Sequence, residues 1–210
     1  MVETVPAQNI DLRYLIATFG IQLVEDDQFF REWQDNLPAL TEIDKLLLDK
    51  VKAGYLNLIN YPPMLEDVVK MAVLYPMLFL ADFYLVPFFF QLEQSIDIAS
   101  EDEGTIVKGR IDTLVLKDRF WVMAIESKKA AFSIEAGLAQ ILTYMLGNPH
   151  PEQPSYGTIA TGGSFVFLKL VKGEPPQYAT SKVFITRNPG NELYDVLRIL
   201  QRLRQIAINN

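Results

Sequence analysis

The stretch GRIDTLVLKDRFWVMAIESKK, residues 109–129, constrains this chain more than any other segment. Two apolar runs, Ile111–Leu116 and Phe120–Ile125, flank the charged centre Lys117-Asp118-Arg119. Apolar runs of this length around a polar turn predict a β-hairpin whose strands are both largely buried. Yet Asp112 interrupts the first run, and the second leads straight into Glu126-Ser127-Lys128-Lys129. Charged groups withdrawn from water are costly unless they are paired or bind a metal. Their position in a sheet core therefore asks for a chemical reason.

The rest of the chain reads as helices and strands in a definite order. EDDQFFREWQDN and LTEIDKLLLDKVKAGYLNLI carry apolar positions at helical spacing, so residues 1–61 are expected to form a helical N-terminal arm. Pro62-Pro63 opens the second unit, 62–210, because proline suits a helix start, and MLEDVVKMAVLY is expected to be helical up to Pro76. FFFQLEQSIDIA follows as a long strand, SEDEG turns the chain into Val107–Leu116, and Phe120–Lys128 is the third strand. Ser133 is placed to cap a helix that runs to Gly147-Asn148-Pro149. YGTIAT, SFVFLKLVKG and YATSKVFIT are strand-like, and NELYDVLRILQRLRQIAI is an amphipathic helix. This order predicts an α/β (α+β) chain, a mixed sheet with helices packed on it as one compact unit.

Composition narrows the chemistry. With 50% hydrophobic and 21% charged residues the chain is of ordinary globular type. The absence of cysteine excludes disulfides, zinc thiolates and cysteine nucleophiles. The single histidine, His150, lies in the turn-rich NPHPEQP, which argues against a histidine triad or zinc cluster. MAVLYPMLFLADFYLVPFFF is broken by Pro76, Asp82 and Pro87, so it reads as helix, turn and strand rather than a membrane span. No basic region precedes an apolar run at the start, so a cytoplasmic protein without a membrane partner is expected. The net charge of −7 means that any approach to phosphates must rely on a local basic rim. Lys108, Arg110, Lys128, Lys129, Lys169 and Lys172 are the candidates for it.

Glu126 and Lys128 are two apart on a strand and so share a face. Whether Asp112 joins them depends on hairpin register. Opposed positions in a hairpin sum to a constant, and 112 and 126 sum to 238. A three-residue loop, Asp118-Arg119-Phe120, gives that register, whereas a two-residue loop puts the acids on opposite faces unless a bulge intervenes. Two carboxylates beside a lysine suit Mg²⁺, a hard cation that prefers oxygen and keeps several waters. Such a metal polarises a phosphoryl oxygen and supplies hydroxide near neutral pH, and Lys128 would orient that water or offset developing charge. The plainer alternative is a structural ion pair of Lys128 with Glu126 or Asp112. In the next helix Ile134, Leu138, Ile141, Leu142 and Met145 form the apolar stripe. Gly137, Gln140 and Tyr144 lie on another face, with Gln140 and Tyr144 at i, i+4 spacing. Because this helix follows the strand of Glu126 and Lys128, that face is expected to overlook the same site.

Asp112, Glu126-Ser127-Lys128 and Gln140-x-x-x-Tyr144 together resemble the PD-(D/E)xK nuclease superfamily. The Gln-x-x-x-Tyr element is similar to that of RecB-type nucleases and of the N-terminal nuclease domain of type I restriction enzyme R subunits. ATGGSFVFLKL also resembles the Thr-x-Gly-x-x-Phe strand pair of those R-subunit domains. The resemblance spans roughly residues 62–185 and implies a restriction-endonuclease-like sheet flanked by helices. It implies Asp112 and Glu126 as ligands of Mg²⁺ or Mn²⁺ and Lys128 as the catalytic lysine. Gln140 and Tyr144 would support the site or contact nucleic acid, alongside Lys129 and Arg110. A further family glutamate falls on the helix before the sheet, where Glu66 is the candidate and Asp67 the runner-up. Equally, Glu66 would serve as a first-turn acid that favours the helix dipole and pairs with Lys70. Two departures stand out: Ile111 replaces the family's proline, and no Gly-x-x-x-x-Gly-Lys-Ser/Thr loop is present for an ATP-driven motor. The expectation is thus a stand-alone, restriction-like, metal-dependent DNA endonuclease of a restriction-modification kind. A catalytically silent nuclease-fold module that binds nucleic acid or regulates is the alternative. Expected partners are DNA, a second copy in a homodimer through the arm and the last helix, and a separate recognition or motor subunit.

Overall fold

The computed structural model describes residues 3–6, 10–61, 66–100, 105–117, 120–127, 134–161 and 163–209. Its strands are β1 (Glu3–Pro6), β2 (Gln22–Leu23), β3 (Phe88–Ser100), β4 (Thr105–Lys117) and β5 (Phe120–Ser127). They continue as β6 (Ser155–Ala160), β7 (Ser164–Val171), β8 (Gln177–Thr180) and β9 (Phe184–Ile185). The helices are α1 (Leu12–Phe19), α2 (Glu42–Leu58), α3 (Glu66–Val69), α4 (Tyr75–Leu80), α5 (Ile134–Leu146) and α6 (Leu193–Asn209). A π segment, Lys70–Leu74, joins α3 to α4.

The described strands form one mixed sheet in the order β1-β4-β5-β6-β7-β8-β2, with β3 also on β4 and β9 on β7. The β5–α5–β6 crossover supplies a parallel pair, since a helix is needed to bring the chain back in the same direction. The sheet separates two apolar cores. One lies under α2, the α3–α4 run and α6, and contains Val115, Phe165, Phe167 and Leu200. The other lies under α1 and α5, and contains Leu114, Leu116, Ile141, Leu142, Ile159 and Val166. Leu114, Val115 and Leu116 fall alternately into the two, as the pleat requires. The near-continuous apolar run is thereby explained: both faces of β4 are covered.

The N-terminal segment is not purely helical. β1 pairs in parallel with β4, and β2 pairs in parallel with β8, so residues 1–61 contribute to the same sheet as residues 62–210. α2 begins where expected, and its start carries a capping box. Thr41 Oγ1 accepts from the Asp44 N–H, and Asp44 accepts from the Thr41 N–H. EDDQFFREWQDN, by contrast, forms turns and a single 3₁₀ turn at Arg31–Trp33. The Asp26 side chain accepts from Gln28 N–H, a local bond that competes with helix formation, and Asn36 has φ 53°.

The helix opening at Glu66 also departs from expectation, because it continues through Pro76 to Leu80. Proline has no N–H and its ring crowds the carbonyl four residues back. The π segment resolves this by letting Tyr75 N–H reach Lys70 O, one residue further than in an α-helix. Among the described residues no helix is long and apolar enough to cross a membrane.

Candidate functional site

Of the two loops that the sequence left open, the hairpin takes the two-residue one with a bulge. β4 and β5 are paired down to Lys117↔Phe120, which leaves two residues between them instead of three. The pairs Lys117↔Phe120 and Leu116↔Trp121 sum to 237, whereas Val115↔Met123, Leu114↔Ala124 and Thr113↔Ile125 sum to 238. An irregularity at Val115/Leu116, with Val122 as the extra residue, makes the change. A bulge of this kind moves one strand along by a single residue. The β4–β5 pairing ends at Thr113↔Ile125, one residue short of Asp112 and Glu126. The side chain of Glu126 is outside the described residues, as are those of Arg110 and Glu66 and the whole of Lys128 and Lys129.

Around Asp112 the sheet is irregular on its other edge as well. β3 pairs Leu92↔Thr113 and Gln94↔Ile111, and between them Glu93 lies opposite Asp112 with a left-handed φ of 54°. A left-handed backbone at a non-glycine residue is uncommon and is concentrated at functional positions. Thr113, next to the acid, is fully buried, and its hydroxyl has no hydrogen-bond partner among the described residues.

Asp112 is held by a residue that sequence reasoning cast only as a partner for Glu66. Lys70 Nζ lies 3.5 Å from Asp112 Oδ1, with the two side chains 13% and 19% exposed. An ion pair this far out of water is weak evidence for stability, because desolvation offsets most of the attraction. Breaking it is another matter, since the remaining charge would be left in a poorly hydrated place. The signal that could have revealed Lys70 is its position four residues after Glu66, on the helix already expected to bear the further acid. Asp67, the runner-up acid, is exposed on α3.

α5 approaches the same end of the sheet. A Cβ on Gly157 would come within 2.7 Å of Met145 Sδ and 3.1 Å of Ile141 Cγ1, so the helix rests directly on the β6 backbone. Gly137 lies over Ile159, with its Cβ position 3.3 Å from Ile159 Cγ2. Ile159 in turn pairs with Glu126. The first turns of α5 therefore sit over the strand beside Glu126. Gln140 Nε2 donates to the Tyr144 hydroxyl at 2.6 Å. Tyr144 itself is 1% exposed and belongs to the core with Ile141, Leu142 and Met145, not to a separate polar face. Of its two expected roles, support of the site is the one compatible with this burial.

Two lysines expected on a basic rim point inward. Lys169 donates to Glu32 Oε1 at 2.5 Å and to Phe29 O at 2.9 Å, with its side chain 15% exposed. Tyr156 OH donates to the same Glu32 oxygen. Burial first, and then the charge of Glu32 and this hydrogen bond, push the Tyr156 phenol far above its ordinary value. Lys172 donates to Asn148 O, and burial lowers its pKa. The apolar stripe of α6 is likewise committed: Leu193, Val196, Leu197, Leu200 and Leu203 are buried in the core and offer no dimer surface. His150 lies in its loop with Nδ1 3.5 Å from Glu152, as a part-exposed loop residue would.

Among the described residues, which leave out the side chains of Glu66 and Glu126, no three of His, Cys, Asp or Glu gather as metal ligands. Asp112 offers a hard oxygen ligand largely removed from water, with Lys70 as its present counter-charge. Comparison with protein-family models gives no match, and comparison with curated proteins gives no significant relative.

Proposed function

We propose that this protein is a metal-dependent endonuclease that hydrolyses phosphodiester bonds in DNA, with its centre at Asp112 and Glu126. The reading is supported by the place of the two acids, each the next residue beyond the last β4–β5 pair, Thr113↔Ile125. Asp112 lies opposite Glu93, whose φ is left-handed, and Glu126 lies on the strand paired with β6, on which α5 rests. Bulges next to active sites re-aim side chains, and two carboxylates with water are a sufficient protein contribution to a Mg²⁺ site. When bound, Mg²⁺ or Mn²⁺ would polarise the phosphoryl oxygen and lower the pKa of attacking water.

Asp112 and Glu126 are the residues that would hold the metal, with Glu66 as a third. Lys128, two residues beyond Glu126, would stabilise charge on the phosphoryl oxygens as the bond to water forms. Gln140 and Tyr144, joined by a hydrogen bond within α5, would support the site from that helix. A homodimer would place two such centres on one duplex, and sedimentation at high protein concentration tests that assembly.

A second reading, a silent nuclease-fold module, draws on the Lys70–Asp112 ion pair and on the withdrawal of Lys169 and Lys172 from the surface. Nicking of supercoiled plasmid in Mg²⁺ or Mn²⁺ separates the two. The nuclease reading expects nicking by the wild type and a loss of about a hundredfold or more in Lys128→Ala, the scale for removing one charge-stabilising donor. Absence of nicking in either metal favours the silent module.

A further inference from the structure

The position of Lys70 is set by a backbone irregularity rather than by the ordinary helix repeat. It is the first residue of the π segment, and its carbonyl accepts the Tyr75 N–H immediately before Pro76. π-Bulges recur at functional sites because they re-aim the side chains that flank them. Here the flanking side chain crosses from the helix to the sheet and places its ammonium 3.5 Å from Asp112. The carboxylate it meets lies opposite Glu93, whose φ is left-handed, and one residue beyond the last β4–β5 pair, Thr113↔Ile125. Two separate departures from regular structure, the π segment and the left-handed Glu93, meet at one acid.

We propose that Lys70 is a built-in counter-ion of Asp112 that a divalent cation must displace. The α3–α4 run carrying Lys70 is then the element that responds when the site is loaded. This inference rests on the reading of Asp112 and Glu126 as a metal site. The physical basis is competition for one carboxylate. With Lys70 in place, the largely buried acid is neutralised without a metal, so the unloaded protein does not hold an uncompensated charge. A doubly charged cation at the same carboxylate would stand close to the ammonium and be repelled by it, and in a poorly hydrated setting that repulsion is only weakly screened. Loading therefore requires Lys70 to swing away. The ammonium thus freed lies beside the site, where an incoming phosphate could meet it.

The test is Mn²⁺ titration by calorimetry on the full chain, comparing wild type, Lys70→Met and Lys70→Arg. Methionine keeps the apolar stem and removes the charge, while arginine keeps the charge. Lys70→Met is expected to bind Mn²⁺ at least fivefold more tightly than wild type, with Lys70→Arg close to wild type. In parallel, Mn²⁺ should raise amide hydrogen exchange in residues 66–80 of the wild type as Lys70 is released. This second measurement needs no variant to fold. Wild type that binds Mn²⁺ while Lys70→Met binds it equally or more weakly overturns the counter-ion role and leaves the metal site standing. Unchanged or reduced exchange across residues 66–80 on Mn²⁺ binding overturns it as well. Failure of both wild type and Lys70→Met to bind Mn²⁺ removes the metal site and the inference together. Binding by Lys70→Met alone supports the inference most strongly.

Discussion

At the scale of single residues, the chain uses polar groups in its interior sparingly and gives most of them a partner. Tyr144 is an example. A buried hydroxyl without a partner costs about 1–3 kcal/mol, and the Gln140 amide at 2.6 Å offsets that cost. The aromatic ring, fully buried against Ile141 and Met145, contributes the larger share through burial. Tyr144→Phe should therefore lower stability by about 1 kcal/mol in urea denaturation. Tyr144→Ala should cost several times more, about 3–5 kcal/mol by analogy with other large aromatic deletions. A Phe variant as damaged as the Ala variant would mean that the hydroxyl matters more than the ring. Asp112 follows the same logic with a charge in place of a hydroxyl, and Lys70 is its partner on the neighbouring helix.

At the scale of elements, much of the architecture was legible. β3, β4, β5, α5, β6, β7 and α6 fall where apolar runs and periodicity place them. What was hidden has identifiable physical causes. The helix was expected to stop at Pro76, yet a π segment lets it continue, and nothing in local propensity distinguishes the two outcomes. For the loop after Lys117 two routes were open, three residues or two residues with a bulge, and the structure takes the second. The bulge that a two-residue loop would need was thus readable from the sequence, and the pairing observed runs as far as Thr113↔Ile125. Lys169 and Lys172 could not be placed, because only tertiary structure brings Glu32 and the Asn148 carbonyl to them. α6 illustrates a junction that sequence does not disclose. Glu192, just before the helix, accepts from the Ile185 N–H at 2.5 Å and from Asn188 Nδ2 at 2.9 Å, tying β9 to the helix start. Burial alone would raise its pKa, but these hydrogen bonds and the nearby lysines lower it below the ordinary 4.5. A carboxyl lowered on folding stabilises the protein above its unfolded pKa, and that stability is lost as pH falls through the folded value. Glu192→Gln should accordingly lower stability near pH 7 and flatten its decline below about pH 4.5, measured as Tm against pH. An unchanged acid limb in the variant would show that the junction is not a source of acid sensitivity.

At the scale of the whole molecule, the net charge of −7 sets the terms on which DNA can be approached. Lys169 and Lys172 are spent on internal contacts, so phosphate contact would fall to other residues of the rim. Lys169→Met should lower stability by roughly 1.5–3 kcal/mol, the range for a hydrogen bond to a charged group. It should leave DNA affinity and its salt dependence unchanged, whereas a residue contacting phosphate would reduce the salt slope by about one. The account as a whole depends on one claim, that Asp112 and Glu126 form a divalent-metal site. Calorimetric titration of Mn²⁺ into wild type, Asp112→Asn and Lys128→Ala tests it most directly. The account predicts binding by wild type, none by Asp112→Asn because a charged ligand of a hard cation is gone, and retained binding by Lys128→Ala. No binding by either wild type or Lys70→Met at millimolar Mn²⁺, or equal binding by wild type and Asp112→Asn, would contradict it.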